Sequence, residues 1–394
     1  MPKTNSAVRI ARRGWSVAER LWWRAATLVR TETVLVIAAV LAAVSCVLVP
    51  PDAQYAAYID LETLGKLFAL MLVMAGFQRV GAFRRIAAVL LGRVRSLRGI
   101  ALVLVGLCFF SSMFITNDVA LVTFVPLALL LLGMVRADDN ACLVVTLMTV
   151  AANLGSMAMP MGNPQNLYLY SVSGMDMGSF IALMAPYTVV SAVLLTLAVF
   201  VGLTRGEQDV APQLDEGERL PAARVALYTA LFAVCLACVA GILDVLVAVG
   251  IVAIVMLVVD RGLFRSVDYG LLLTFVAFYI FVGNLERFAP FHDALATLVQ
   301  GREFLVSVVA SQVISNVPAA LLLSGFTGAW SALIVGTNVG GLGTLIASMA
   351  SLISYKQLTL VQPGARKRFL VVFTLVNVAF LAVLAAMAFL LGMR

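Results

Sequence analysis

The stretch SSMFITNDVALVTFVP, residues 111–126, places a short polar motif in the middle of a long apolar run. Between Ile100 and Val135 the only ionisable side chains are the carboxyl group of Asp118 and the thiol of Cys108. A charged carboxylate at the centre of a membrane helix costs about 2.5–3.5 kcal/mol unless it faces a cavity, an ion or a partner. We therefore expect Asp118 to line a polar site inside a membrane, and a transport site is the first hypothesis.

The composition predicts a membrane protein. Of the 394 residues, 62% are hydrophobic and 12% are charged, whereas soluble domains have about 45–50% apolar and about 25% charged residues. Apolar runs of about 20 residues recur along the chain, as bilayer-crossing helices require, and a porin-type barrel would instead show alternating segments of about 10 residues. The sequence therefore predicts an all-α, polytopic membrane protein.

The basic residues predict the orientation of the chain. With a cytoplasmic N-terminus, 23 of the 27 Lys and Arg residues fall on the cytoplasmic side, three fall on the other side, and Lys66 lies within a span. Positively charged loops stay preferentially in the cytoplasm. We therefore expect a multi-pass protein of the bacterial inner membrane, and we attribute the net charge of +7 to this orientation rather than to a nucleic-acid partner.

The chain divides into two membrane halves. Residues 1–32 are basic and contain three Trp residues, which favours an interfacial helix on the cytoplasmic leaflet, with a disordered basic tail as the alternative. The halves are expected at 33–203 and 225–394, joined by a hydrophilic cytoplasmic linker at 204–224. Basic residues around an apolar stripe predict a further amphipathic helix within 79–98.

Several features are expected to be structural only. The first apolar run, about 34–48, lacks a small-residue cleavage site, so we expect an uncleaved span that ends at Pro50. A loop is expected at 287–302, with His292 as a surface histidine. The five cysteines lie in apolar segments and are expected to be small buried residues, without a disulfide framework or a zinc site.

The polar motif has a counterpart in the second half. When residue 111 is set against residue 310, SSMFITNDVAL aligns with ASQVISNVPAA, so that Asn117 matches Asn316 and Asp118 matches Val317. Each motif is followed by a span with a glycine- and amide-rich break, Asn153–Ser156 and Gly162-Asn163 in the first half, Asn338–Gly341 and Gly343-Thr344 in the second. Each half therefore reads as two spans, a broken hairpin (about 99–135 and 303–327), a broken span and a final span, and the two halves have opposite orientations.

Inverted repeats with broken helices at matching positions indicate the midplane site of a secondary transporter. A broken helix leaves backbone groups unpaired in a medium without water, which is tolerated where they face protein, water or an ion. Helix N-termini attract anionic groups, and carbonyl, Asn and Ser oxygens suit a hard cation such as Na⁺. The alternative interpretation is that small and amide residues join the helices to one another.

Asp118 is the residue that we expect to couple transport to an ion gradient. The ionisation of a carboxyl group responds to burial and to a nearby cation, so Asp118 could exchange H⁺ for Na⁺ or release a proton as substrate binds. The alternative is a structural role as the N-terminal cap of the second hairpin arm.

The segments ITNDVALVTFVP, GNPQN and ISNVPAALLLSGF resemble the hallmark segments of the ion transporter superfamily. The resemblance is to the branch of arsenite permeases, NhaD-type sodium/proton antiporters and citrate permease-like proteins, with the divalent-anion/sodium symporters as more distant relatives, and it covers about 60–390. It implies a homodimer, a scaffold and a transport subdomain, two re-entrant hairpins and an elevator-like motion.

The resemblance also implies the site residues. Substrate would be bound by Thr116, Asn117, Asn163, Asn166, Ser315, Asn316, Thr337, Asn338 and Thr344. The coupling cation would be bound by Asp118, Asn117, Asn153, Gly155, Gly162, Asn316, Asn338 and Gly340, with Na⁺ possible at Asn117, Asp118 and Asn153.

These residues support a secondary active transporter of a small carboxylate-like or inorganic anion or oxyanion, coupled to Na⁺ or H⁺. A sodium/proton antiporter or an arsenite efflux permease is the alternative, and a passive channel has less support. The sequence contains no H-E-x-x-H motif, no P-loop and no nucleophile–base constellation. We therefore expect neither an enzyme nor a cofactor other than the coupling ion.

Overall fold

The structure, a computed structural model, describes residues 32–203 and 220–393. The predicted interfacial segment at the N-terminus and most of the predicted linker lie outside the described residues. Within those ranges the chain is helical and has no strand. Seven of the described helices are long and apolar enough to cross a membrane, or eight if a bent pair is counted as one span. The prediction of an all-α polytopic membrane protein is confirmed.

The helices follow the order that the sequence predicts. The first half contains α1 (Thr33–Leu48), α2 (Tyr55–Tyr58), α3 (Leu61–Arg79), α4 (Ala82–Leu91), α5 (Leu97–Ser111), α6 (Asn117–Met134), α7 (Ala141–Ser156), α8 (Pro164–Ser173) and α9 (Met177–Gly202). The second half contains α10 (Ala222–Val239), α11 (Val245–Asp260), α12 (Tyr269–Arg287), α13 (Ala289–Val299), α14 (Glu303–Ile314), α15 (Asn316–Ser324), α16 (Trp330–Val339), α17 (Met349–Val361) and α18 (Arg366–Leu390).

Local chemistry explains several helix ends. Asp60 accepts a hydrogen bond from the Thr63 N–H at 3.0 Å, and Asp244 accepts one from the Leu246 N–H at 2.8 Å. A carboxylate at this position pairs N–H groups that have no partner inside the helix. Pro50 follows the end of α1, as its restricted backbone predicts.

The loop predicted at 287–302 is wrong, because this stretch forms α13. Phe291, Leu295 and Leu298 recur at a spacing of three to four residues, which gives the stretch the periodicity of an amphipathic helix. Helices α13 and α14 meet at an angle of 111°. His292 is partly exposed, and its Nδ1 lies 3.3 Å from Asp293 Oδ1.

One compact unit consists of the described residues 32–59 together with Asp268–Phe288. Helices α1 and α12 pack against each other in it. Asn284 is buried on α12, and its Nδ2 donates to Ser45 Oγ at 3.0 Å and to Tyr55 Oη at 2.8 Å. Amide and hydroxyl groups of this kind join apolar helices by hydrogen bonds that lipid cannot offer.

A surface ion pair lies at one end of the same unit. Arg287 Nη2 lies 2.8 Å from Asp52 Oδ2. This hydrogen bond holds the pKa of the Asp52 carboxyl below its ordinary value. Because both side chains are about a third exposed, solvent screens the pair and it contributes little to stability.

The second compact unit contains residues 60–203, 220–267 and 289–393. In it α5 and α6 pack against α7, and α14 and α15 pack against α16. Helix α6 also packs against α17, and α8 packs against α15. Each predicted hairpin therefore packs against the first segment of the broken span in its own half of the chain. The second arm of each hairpin also packs against the second segment of the broken span in the other half.

We predict that Gly283→Ala destabilises the protein. A Cβ atom at Gly283 would lie 2.5 Å from Cγ of Tyr58, at the base of the ring rather than at its flexible end. Overpacking of this kind costs about 1–3 kcal/mol. The check is the thermal unfolding midpoint of the detergent-purified chain. Gly250→Ala is the matched control, because a Cβ there meets nothing within 4 Å, and equal midpoints for both variants would contradict the prediction.

Candidate functional site

The first hairpin turns through residues 112–116, between α5 and α6. Thr116 is extended (φ −62°, ψ 150°) and precedes the helix as its N-cap, without a side-chain capping bond. The side chain of Asn117 is buried at the start of α6. The hairpin tip therefore directs an amide, rather than the threonine hydroxyl, into the protein.

Asn117 belongs to a buried polar cluster that joins the two halves of the chain. Its Nδ2 donates to Oδ1 of Asn153, near the end of α7, at 2.9 Å. The same oxygen accepts a hydrogen bond from Ser348 Oγ, at the start of α17, at 3.0 Å. Asn153 Nδ2 is buried without a hydrogen-bond partner in the described part of the chain. An unmatched buried donor costs about 1–3 kcal/mol, so Asn153 Nδ2 is a candidate contact for a ligand or a water molecule.

Asp118 is half-buried in the first turn of α6. Its backbone N–H donates to Oδ1 of Asn117 at 2.9 Å. The residue that caps α6 is Thr116, so the alternative role of Asp118 as the N-cap is not observed. A negative charge in the first turn is favoured by the helix dipole, and it stands beside the cluster around Asn117.

The break in the first interrupted span lies directly against the hairpin backbone. Helix α7 ends at Ser156, and a 3₁₀ turn at Pro160–Gly162 leads into α8. A Cβ atom at Gly155 would collide with the carbonyl oxygen of Phe109, and one at Gly162 would lie 2.8 Å from the carbonyl oxygen of Ser112. The two predicted glycines are therefore needed for this close approach of backbones.

A second buried cluster pairs the two interrupted spans. Asn338 Nδ2, on α16, donates to Asn166 Oδ1, on α8, at 2.6 Å. Beside it, Gln165 Nε2 donates to the carbonyl oxygen of Thr337 at 3.3 Å. Two acceptor oxygens, Gln165 Oε1 and Asn338 Oδ1, are buried without a partner among the described residues. Gln165 and Asn338 therefore offer two amide oxygens of the kind that a hard cation prefers.

The second hairpin turns on one residue in the left-handed region. Ser315, between α14 and α15, has φ 73° and ψ 155°. Such a conformation costs a non-glycine residue about 1–3 kcal/mol. It is supported by the N–H of Asn316, which donates to the carbonyl oxygen of Ala347 at 2.9 Å. The tip is thereby tied to the chain that enters α17.

Gln312 is a site residue that the sequence analysis missed. Its Nε2 donates to the carbonyl oxygens of Gly340 and Leu342, each at 2.8 Å. Its Oε1 accepts the Thr344 N–H at 2.8 Å, and its backbone carbonyl accepts Thr344 Oγ1 at 3.1 Å. One side chain therefore pairs three backbone groups of the second break. The sequence does show an amide at position 312, one helical turn before Asn316. The residue that aligns with Gln312 in the first half is Met113, which is apolar.

Not every predicted residue is turned toward the two clusters. Thr344 is exposed, and the hydroxyl of Thr337 donates to Leu333 O of its own helix. Asn163 is buried at the start of α8, where its carbonyl accepts the N–H groups of Asn166 and Leu167. Among the predicted residues, the side-chain amides of Asn117 and Asn153, and those of Asn166 and Asn338, are in direct contact.

The predicted Na⁺ set of Asn117, Asp118 and Asn153 fits the observed hydrogen bonds poorly. Asn153 Oδ1 already accepts two hydrogen bonds, and Asn117 Oδ1 already accepts one. An amide oxygen has two lone pairs, so in this arrangement Asn153 Oδ1 has no lone pair left for Na⁺. The Na⁺ site at these three residues therefore stays a prediction.

The fold and these clusters define a class: a multi-pass membrane protein whose interrupted helices enclose buried polar groups. Comparison with known proteins gives the family. Residues 20–329 match the citrate transporter family, CitMHS, and the chain belongs to this family. The resemblance to citrate permease-like proteins of the ion transporter superfamily is therefore confirmed.

Similar proteins carry the names of membrane proteins and transporters. The chain is 31% identical to the inner membrane protein YbiR of Escherichia coli over 77% of its own length and 81% of that protein's. It is 30% identical to the uncharacterized transporter MJ0456 of Methanocaldococcus jannaschii over 84% and 90% of the two lengths. A shorter match, 34% identical over 33% of this chain and 26% of the relative, is to the silicon efflux transporter LSI3 of rice. The chain is thus a membrane transporter and not an enzyme, as expected.

We predict that Gln312→Leu abolishes transport and lowers thermal stability. Leucine leaves the Thr344 N–H and the carbonyls of Gly340 and Leu342 without the partner that Gln312 provides. The two part-buried carbonyls account for most of the loss, because an unpaired buried polar group costs about 1–3 kcal/mol, whereas the exposed Thr344 N–H can bond to water. Met113→Leu, at the aligned position of the first hairpin, is the matched control. The measurements are the thermal midpoint in detergent and flux in proteoliposomes. If the Gln312→Leu protein had the thermal midpoint and the flux of the control, the hydrogen bonds of Gln312 would be dispensable.

Proposed function

We propose that the protein is a secondary active transporter of a small anion or oxyanion, coupled to Na⁺ or H⁺. The observation that carries the proposal is the meeting of both halves at buried amide clusters, Asn117–Asn153–Ser348 and Asn166–Asn338. In these clusters and the neighbouring Gln165, one donor (Asn153 Nδ2) and two acceptors (Gln165 Oε1 and Asn338 Oδ1) are buried without a partner in the described chain. A site with both kinds of group suits an anion and a cation bound together.

The donors suit an anion. Asn153 Nδ2 is an unmatched N–H group, and the second arm of each hairpin begins at the tip, at Asn117 and at Asn316. The N-terminus of a helix carries a partial positive charge, which favours carboxylate and oxyanion groups. Recognition by backbone and amide N–H groups fits the family name, which is that of a citrate transporter.

The acceptors suit the coupling ion. Gln165 Oε1 and Asn338 Oδ1 provide neutral oxygens for Na⁺, and carboxylate and carbonyl oxygens are the ligands that hard cations prefer. Asp118 provides a carboxylate that can carry a proton. We therefore assign Na⁺ to the Asn166–Asn338 cluster and assign proton coupling, if H⁺ is the driving ion, to Asp118.

The lengths of the second hairpin support a re-entrant arrangement. Helices α14 and α15 have 12 and 9 residues, whereas about 20 residues are needed to cross the bilayer. A homodimer, an elevator-type movement and a cytoplasmic N-terminus belong to the same proposal; the last is supported by the unequal distribution of the 27 basic residues.

Sodium/proton antiport is the second candidate, because Asp118 is the one carboxylate within the first hairpin at 97–134. In that case Asp118 would exchange the two cations without an anion. The direction of transport is a separate choice, and the rice relative is named as an efflux transporter.

Flux measurements in proteoliposomes separate these functions. We expect uptake of radiolabelled citrate, sulfate or arsenite that requires an imposed Na⁺ or H⁺ gradient. Sodium-dependent proton movement with no anion requirement would favour the antiporter. Downhill anion flux indifferent to both gradients would overturn secondary active transport.

We also predict that Asp118→Asn abolishes or uncouples transport while the protein still folds. The variant keeps the size and the backbone N–H of the residue but removes the charge and the exchangeable proton. Its flux is to be measured as a function of pH and Na⁺ concentration. Asp139→Asn is the control, because Asp139 is 97% exposed. An Asp118→Asn protein with unchanged pH and Na⁺ dependence would exclude the coupling role.

A further inference from the structure

An apolar groove of about 490 Å³ lies between α4 and the first hairpin. One wall is the apolar stripe of α4, with Phe83, Ile86 and Leu90, and the other is α5 around Gly106 and Phe110. The groove reaches the hairpin tip, where Phe114 and Ile115 complete its lining.

The groove is built for an apolar occupant. Among its lining residues only Ser111 has a polar side chain, and its hydroxyl already donates to the carbonyl of Leu107 in the described helix α5. Phe110 is 63% exposed and Phe114 is 44% exposed. Aromatic rings beside a gap lose dispersion contacts that a filling chain restores, and in a membrane protein the molecules at hand are lipids.

Charge beside the groove selects the kind of lipid. Residues 79–98 contain six Arg residues and no acidic residue. Arg93 stands three positions after the lining residue Leu90, and its side chain is exposed. Arg84 is exposed as well, but it lies on a different face of α4 from Phe83, Ile86 and Leu90, because successive residues of a helix are about 100° apart. Basic residues next to apolar pockets at a membrane surface bind anionic headgroups.

We propose that this groove, defined by Phe83, Ile86, Leu90, Gly106, Phe110 and Phe114, binds one acyl chain of an anionic phospholipid whose phosphate is held by Arg93. Binding of the lipid does not depend on the transported substrate. Any effect of the bound lipid on transport rests on the proposed function. Because one wall of the groove belongs to α4 and the other to the first hairpin, movement of the hairpin relative to α4 would open or close the lipid site.

Gly106 allows the groove to be filled without disturbing the helix. A Cβ atom at Gly106 meets nothing within 4 Å, so the side chain of Gly106→Phe would occupy the space of the acyl chain. Gly250→Phe is the matched control, because Gly250 is also inside a helix with nothing within 4 Å and lies outside the groove. Gly106→Leu is a second, smaller blocking variant in case the phenylalanine prevents folding.

The test is native mass spectrometry of the delipidated full chain in detergent, with dioleoyl phosphatidylglycerol or dioleoyl phosphatidylcholine added. We expect the wild type and Gly250→Phe to retain one more phosphatidylglycerol per chain than Gly106→Phe or Gly106→Leu. Arg93→Gln should weaken phosphatidylglycerol binding about fivefold, since a basic residue near a membrane surface contributes about that factor. Arg84→Gln is the matched control on another face of α4 and should weaken binding less.

Equal lipid counts in the wild type and the blocked variants would overturn the proposal. So would equal retention of phosphatidylcholine and phosphatidylglycerol by the wild type, because the headgroup contact would then be absent. If Gly106→Phe instead dissociated a dimer with no change in bound lipid, the groove would be a protein interface and the lipid site would be wrong. Since mass spectrometry measures no flux, failure of the lipid site and failure of the proposed function are distinguishable.

Discussion

The structure depends on one constraint: backbone groups freed by a broken helix must be paired inside an apolar medium. Side-chain amides meet it at both breaks. Asn166 Nδ2 donates to the carbonyl oxygen of Ser156 at 3.2 Å, at the end of α7. Gln312 pairs the carbonyls of Gly340 and Leu342 in the second half. Amides suit this task because each carries both a donor and an acceptor without a charge that would have to be buried.

The two halves meet this constraint with different residues. In the first half, the amide that pairs the freed backbone carbonyl is Asn166, on the second segment of the same interrupted span. In the second it comes from the hairpin, through Gln312, where the first half has Met113. The tips differ as well, because Asp118 aligns with Val317 and because Ser315 has positive φ whereas the matching Thr116 does not. A site between such halves has different chemistry on its two sides, which suits binding two kinds of ion.

Sequence patterns predicted the helices well where apolar runs end in strong signals, such as Pro50 after α1 or the glycines of the breaks. They also placed Asn117 and Asn316 at the two tips. They fail at α13, a short amphipathic helix between charged residues for which the pattern predicts a loop. They also missed Gln312, because what it contacts lies 28 to 32 residues away and the aligned Met113 gave no hint. Hydrogen-bond partners depend on which helices face each other, and periodicity does not contain that information.

The contacts also limit which motions are possible. The first hairpin is held to its interrupted span by the close approach at Gly155 and by Asn117–Asn153. The second is held by Gln312, and Asn166–Asn338 joins the two spans. Opening one hairpin alone would leave several of these buried groups unpaired, at about 1–3 kcal/mol each. Displacing the hairpins and interrupted spans together would keep every one of these bonds. The hydrogen bonding of the site therefore favours movement of the whole assembly over a hinge at either tip.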